Sequence, residues 1–225
     1  MIAVLFAAIL VLTESPSTAI ERQFEERFVV NGQIAKNGDS GTYNFDRAHS
    51  FIGFKVKHMG LIEVPGYFRD FTGSVNYDNK DITKSSVEFT AQVTSVDTGV
   101  DGRDAHLRRP DFFEVEKYPT MTFKSTSVSK KGKGFVVMGD LTMRGVTKPV
   151  SIPFQLTGFL PGNDRTGMRM GITGETTLNR RDFGVNYGGN LPGTDIPQIA
   201  DNIRVVLQIE AVQPKAAASA AATQK

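Results

Sequence analysis

VEFTAQVT, residues 87–94, alternates without a fault. Val87, Phe89, Ala91 and Val93 fall on one side, Glu88, Thr90, Gln92 and Thr94 on the other. Successive side chains of an extended chain point to opposite faces, so a period of two marks a strand with one face buried. The same period recurs on both sides of it. Upstream, Ile52, Phe54 and Val56 oppose Lys55 and Lys57, with His58 on the apolar side and Met59-Gly60 ending the strand. Residues 67–77 form a second strand, in which Phe68 and Phe71 are out of phase; that predicts a bulge at Arg69-Asp70. Downstream, Met121, Phe123 and Ser125 open a fourth strand, and Phe135, Val137, Leu141 and Met143 a fifth, with Gly139 easing a bend. Val150, Ile152, Phe154 and Leu156 form a sixth; Met168, Met170, Ile172, Thr176 and Leu178 a seventh; Ile203, Val205, Leu207 and Ile209 an eighth. Pro149 and Pro153 cannot donate to a ladder and are expected at an edge or a bulge.

One segment breaks this rhythm. DGRDAHLRRPDFFEVEKYPTMTF, residues 101–123, is the most charged stretch of the chain. Asp101 and Gly102 read as a helix start, and Asp104 stands four residues before Arg108, the spacing of neighbours on one helix face. Pro110 can open a second short helical turn, and Pro119 returns the chain to an extended form. Two roles fit this short basic helix: a connector whose phenylalanines plug a barrel end, or a lid whose Arg103, Arg108 and Arg109 face an anionic head group.

Eight strands in mostly sequential, hairpin-like order with one helical insertion define an all-β chain. Eight antiparallel strands close naturally into a barrel whose interior holds its own side chains or one small ligand. Lysine plus arginine is 26 and aspartate plus glutamate 24, a net charge of +2 in 225 residues. That balance makes no case for nucleic acid, which calls for a basic face. Cysteine is absent, which removes disulfides, thiol nucleophiles and Cys-based zinc sites. The three histidines include no His-x-His or HExxH pair, and neither a metal site nor a cofactor is expected. His106 lies two residues from Asp104, a spacing that does not bring side chains together on a helix, and no nucleophile is specified nearby; no catalytic residue is assigned.

The ends of the chain read differently. Residues 2–12 are an unbroken apolar run, too short for a bilayer, which takes about 20 residues, but of the length of a signal-peptide core. Ser17 and Ala19 supply small residues for a cleavage site, although no Lys or Arg precedes the core. Residues 1–19 are therefore expected to be a signal peptide, and the protein periplasmic or secreted, with no stable membrane span. Residues 20–41 read as a linker, 42–213 as the barrel and 214–225 as an Ala-rich tail. Gly38-Asp39-Ser40-Gly41 resembles the nucleophile motif of trypsin-like proteases, but those enzymes carry His and Asp before the Ser, and every histidine here follows it.

Several runs carry a family resemblance. Ala48-His49-Ser50-Phe51-Ile52-Gly53-Phe54 and Gly66-Tyr67-Phe68-Arg69-Asp70-Phe71-Thr72-Gly73 open it. Ser95-Val96-Asp97-Thr98-Gly99 with Arg103-Asp104-Ala105-His106-Leu107-Arg108 is its most distinctive part. Lys117-Tyr118-Pro119-Thr120, Gly139-Asp140-Leu141-Thr142-Met143-Arg144-Gly145 and Asn179-Arg180-Arg181-Asp182-Phe183-Gly184 complete it. Together, in order over residues 42–212, they resemble the YceI-like family. The resemblance implies an elongated eight-stranded antiparallel lipocalin-like barrel that binds a polyisoprenoid or related long-chain lipid, a quinone or a polyprenyl phosphate, for carriage or sequestration. It implies export and no established reaction. A homodimer is compatible with the sequence. The alternatives are a filled barrel serving as a stress or interaction protein, and an enzyme built on a barrel.

The inward phase then supplies the expected ligand-binding residues: Ile52, Phe54, Val56, His58, Phe89, Phe112, Phe123, Phe135, Val137, Phe154, Ile172, Leu178 and Phe183, with Asp104, His106 and Arg108 near one end. His58 on that face reads first as a core histidine with a hydrogen-bond partner, and second as a polar anchor for ligand. The Arg180-Arg181-Asp182 run reads as a structural loop rather than an anion site.

Overall fold

The structure is a computed structural model and describes residues 34–163 and 166–215. The expected signal peptide, the linker up to residue 33 and the tail beyond residue 215 lie outside the described residues.

Eight antiparallel runs close into a barrel, and three of them are broken in two. The first comprises β1 (Gly41–Phe45) and β2 (Phe51–His58), joined through a 3-10 turn at Arg47–His49 that Asp46 caps from its side chain. The second comprises β3 (Ile62–Phe68) and β4 (Phe71–Tyr77), kinked at Arg69-Asp70 as the phase change predicts. The third comprises β5 (Ser86–Gln92) and β6 (Val96–Asp97). After helix α1 (Asp101–Leu107) come β7 (Thr120–Lys131), β8 (Gly134–Met143), β9 (Val146–Leu160), β10 (Arg169–Asn179) and β11 (Ile199–Val212). Each run pairs with the next, and β11 returns to pair with β2 along most of its length and with β1 at Val212 and Ala211. No strand edge is left between first and last, which removes a template for aggregation.

The breaks control which side chains face inward. In β9, Ile172 opposes Leu156 while Gly171 opposes Gly158, so Thr157 is an extra residue. Val150, Ile152, Phe154 and Leu156 point inward before this bulge, and Phe159 is buried after it, at 1% exposure. Pro149 and Pro153 do not lie on a free edge. They sit in a middle strand, paired with Asp140 and Val136 of β8, and the ladder to β10 stops at Phe154. Beyond that point Thr176 Oγ1 of β10 donates to the Ser151 carbonyl of β9 at 2.8 Å, a side-chain bond where the backbone ladder has stopped. The expected second helical turn after Pro110 is a series of turns, with Phe112 N donating to Arg109 O at 3.0 Å.

One end of the barrel is packed solid. Tyr43, Tyr77 and Phe159 meet with ring centroids 5.1–6.2 Å apart, and Met170 lies 1% exposed among the same buried core residues. The Tyr43 hydroxyl donates to the Asp39 carbonyl at 2.8 Å, and burial pushes its pKa up to about 12. Residues 34–41, expected as linker, are tied to this end. Ala35 and Phe159 exchange backbone hydrogen bonds, and Gly38 lies so close to the Phe159 ring that a Cβ would fall 2.2 Å from it. The Gly-Asp-Ser-Gly run belongs to this strap: the Ser40 hydroxyl accepts from the Asn79 amide.

Inside the barrel, three phenylalanine rings lie over glycines. A Cβ at Gly66 would stand 2.4 Å from the Phe54 ring, at Gly139 2.4 Å from Phe123, and at Gly73 2.5 Å from Phe45. Each glycine therefore seats an aromatic ring close on the backbone of the neighbouring strand. The contact gives a direct test. Gly66→Ala is expected to lower stability by about 1–3 kcal/mol in urea unfolding, the usual cost of overpacking. A Phe54→Leu change in the same chain should recover part of that loss; purely additive losses would show that the ring and the glycine are not coupled.

Candidate functional site

The barrel encloses two cavities. The larger, about 370 Å³, lies toward α1, and the smaller, about 90 Å³, toward the packed end. Ile52, Phe89, Phe123, Ile152 and Leu207 line both. Apart from a few groups near α1 and the loop after β10, the larger cavity is walled by apolar side chains such as Val64, Phe68, Met121, Leu141 and Val205. An interior of this kind takes an apolar ligand, because any polar group placed there would lose its water without gaining a partner.

The polar groups gather at the α1 end. His58, at the end of β2, is exposed, and its ring has no hydrogen-bond partner among the described residues. The expectation of a satisfied core histidine does not hold, because the strand ends at the rim and its apolar phase runs out into solvent. His106 Nε2 bonds Asp111 Oδ2 at 2.6 Å, which holds the Asp111 carboxyl below the usual carboxylate range. The imidazole also packs edge-on against Phe112 and Tyr187, at 4.9 and 4.8 Å. Arg103 lines the cavity near this cluster and donates to Thr98 Oγ1 and Thr98 O at 2.7 and 2.8 Å. Arg180 also lines the cavity and is 5% exposed. It donates to the carbonyls of Val185, Ala200 and Ile199 and to Asp201 Oδ1 at 2.8 Å. Burial draws its pKa down, and Asp201 opposes that shift. Four of its five N–H groups are thus engaged, which is the structural role expected of the run, with one Nη1 hydrogen left over.

A second arginine clasps the rim. Arg144 and Gly145 both have positive φ, at 51° and 72°, and form the two-residue turn between β8 and β9. The Arg144 guanidinium donates to Gly184 O, to Pro110 O at 2.7 Å and to Glu114 Oε2 at 3.1 Å. It therefore joins the strand turn to the segment after α1 and to the turn after β10. Its Nε is buried without a partner.

Of the expected ligand-binding residues, Phe54, Val56, His58, His106, Phe112 and Leu178 line the larger cavity. Val137, Phe154 and Ile172 line the smaller, and Ile52, Phe89 and Phe123 line both. Four stand away from either. Asp104 is 6% exposed but faces Thr98, accepting from its amide and hydroxyl. Arg108 donates to the Thr94 and Val96 carbonyls at 2.8 and 3.0 Å, so its helix-face neighbour Asp104 is not its partner. Phe135 packs against Phe154 at 5.4 Å, with the rings tilted by 32°, without lining the cavity that Phe154 borders, and Phe183 is packed at 2% exposure in the turn after β10. Residues the sequence reading missed include Val64, Met143, Arg180 and Tyr187. Val64 and Met143 share the inward phase and were open to discovery; Tyr187 sits in an irregular loop with no period to follow. Among the described residues, one grouping could hold a metal ion: Asp46, His49 and Glu210. Arg169 pairs with both carboxylates there and supplies the positive charge.

Fold and lumen define a class: a closed antiparallel barrel of eight strands with a hollow apolar interior and polar groups at one mouth. Within that class the chain belongs to the YceI-like family, whose domain model matches residues 43–211. A UPF0312 protein of Yersinia pestis is 38% identical over 176 residues, covering 77% of this chain and 87% of its own. The crystal structure of BcnA from Burkholderia cenocepacia superposes with a TM-score of 0.64 at 25% identity, covering 74% of this chain and 99% of BcnA. A polyisoprenoid-binding domain from Saccharophagus degradans shares the fold, with a TM-score of 0.53 at 16% identity over 78% of this chain and all of that domain. No helix among the described residues is long and apolar enough to cross a membrane.

The Arg144 clasp makes the rim testable. Arg144→Met removes its hydrogen bonds to Gly184, Pro110 and Glu114 and is expected to cost about 1–3 kcal/mol. Amide exchange at residues 112–118 should accelerate while exchange in β8 and β9 stays slow. Unchanged exchange at 112–118 would mean that other contacts hold the rim.

Proposed function

We propose that this protein binds a long-chain isoprenoid lipid, with its tail in the lumen and its head group at the α1 mouth, and carries or sequesters it. The observation that carries this reading is the cavity of about 370 Å³, apolar along its length and polar at one end. A barrel filled by its own side chains would leave no such space. Burial of an apolar tail contributes roughly 25 cal/mol per Å² before ordering costs. Membership of the YceI-like family supports the reading, as does the shared fold of the Saccharophagus domain, named for polyisoprenoid binding.

At the mouth, Arg103 keeps donors beyond its two bonds to Thr98, and Arg180 keeps one. They suit a head group that accepts hydrogen bonds, a quinone carbonyl or a polyprenyl phosphate. The titratable groups closest to catalytic form are engaged elsewhere, His106 with Asp111 and Asp104 with Thr98, which supports binding over reaction. The signal-like residues 1–19 support an exported, periplasmic or secreted, carrier.

Native mass spectrometry of the protein purified from its host, followed by organic extraction, tests this. One isoprenoid per chain is expected. A chain that carries no added mass, and takes up neither added quinone nor polyprenyl phosphate, would overturn the reading.

A further inference from the structure

Five side chains line both cavities, and this shared layer is unequal in its parts. Phe89 and Phe123 are directly opposite on β5 and β7, with centroids 6.1 Å apart and planes inclined by 23°. Phe123 is 3% exposed and seated on Gly139, where a Cβ would fall 2.4 Å from its ring. Phe89 is only half-buried. Its partner on β4, Gly73, has no side chain of its own, and the Phe45 ring lies over that glycine. Beyond the pair, the cavity of about 90 Å³ is lined by residues such as Val75, Val87, Val137, Leu156 and Ile172, and no charged side chain reaches it. It can receive the end of a hydrocarbon chain and nothing with a charge.

We propose that Phe89, closing against Phe123, is a length discriminator for the bound tail. A short isoprenoid fits the larger cavity with the layer closed. A longer one enters the smaller cavity only by displacing the Phe89 ring from its stack, and so binds less tightly per unit of added tail. The inference rests on the lipid-binding reading of the lumen and adds to it the residue that sets tail length.

The test measures affinities of geraniol, farnesol, geranylgeraniol and solanesol by displacement of a dansylated farnesyl probe from the full chain. The wild type is expected to show a break in affinity as the tail lengthens. Phe89→Ala, which joins the two cavities, should raise affinity for solanesol relative to farnesol by about tenfold or more, the scale on which an apolar pocket discriminates small differences in bulk. Phe89→Leu keeps an apolar side chain in the layer and should shift the same ratio in the same direction by less, should the alanine variant fail to fold. Binding of all four alcohols with a solanesol-to-farnesol ratio that Phe89→Leu leaves unchanged would overturn the length discriminator while leaving the lipid reading intact. No binding of any alcohol by wild type or variant would overturn both.

Discussion

The seating of phenylalanine rings on glycines is the constraint on which the open interior depends. A barrel of eight strands is just wide enough for its own side chains to fill. This chain points Phe45, Phe54 and Phe123 inward and still leaves about 370 Å³ empty in the larger cavity alone. It does so because Gly73, Gly66 and Gly139 on neighbouring strands have no Cβ where the rings lie. Each ring then lies on backbone that carries no side chain. The barrel gains apolar burial without losing its hollow.

The two ends answer different physical demands. At one, Tyr43, Tyr77 and Phe159 meet ring against ring, and the strap at residues 34–41 crosses over them. At the other, side-chain hydrogen bonds to the backbone join the aromatic packing of His106, Phe112 and Tyr187. Arg144, Arg180 and Arg108 each spend guanidinium donors on backbone carbonyls that the loops leave unpaired. Buried carbonyls need such partners, and arginine, with five donors in a fixed fork, satisfies several at once. The mouth is thereby held by groups whose remaining donors are few and specifically placed.

Much of this was legible in the sequence. Strict alternation located the strands, the phase change between Phe68 and Phe71 located the kink between β3 and β4, and the charged run located α1. Alternation also placed the inward face, and twelve of the sixteen candidate residues line a cavity. It could not report depth: Phe135 shares the inward phase of Val137 but lies outside both cavities. Helix spacing suggested an Asp104–Arg108 pair, but tertiary acceptors and donors captured both side chains first. The prolines of β9 were read as edge markers because sequence shows a missing donor and not the local gap in the β9–β10 ladder that absorbs it. Whether a phenylalanine fills a lumen or lines it depends on its cross-strand neighbour, which only the register reveals.

The central claim is that an isoprenoid tail lies inside the barrel against these seated rings. An isotope-filtered NOE spectrum of labelled protein loaded with unlabelled geranylgeraniol addresses it directly. Cross-peaks from prenyl methyls to Phe54, Met143 and Val205, which line the larger cavity, are the expected result. Cross-peaks confined to exposed residues such as Leu61 and Ile62, with none to the lumen, would contradict the account.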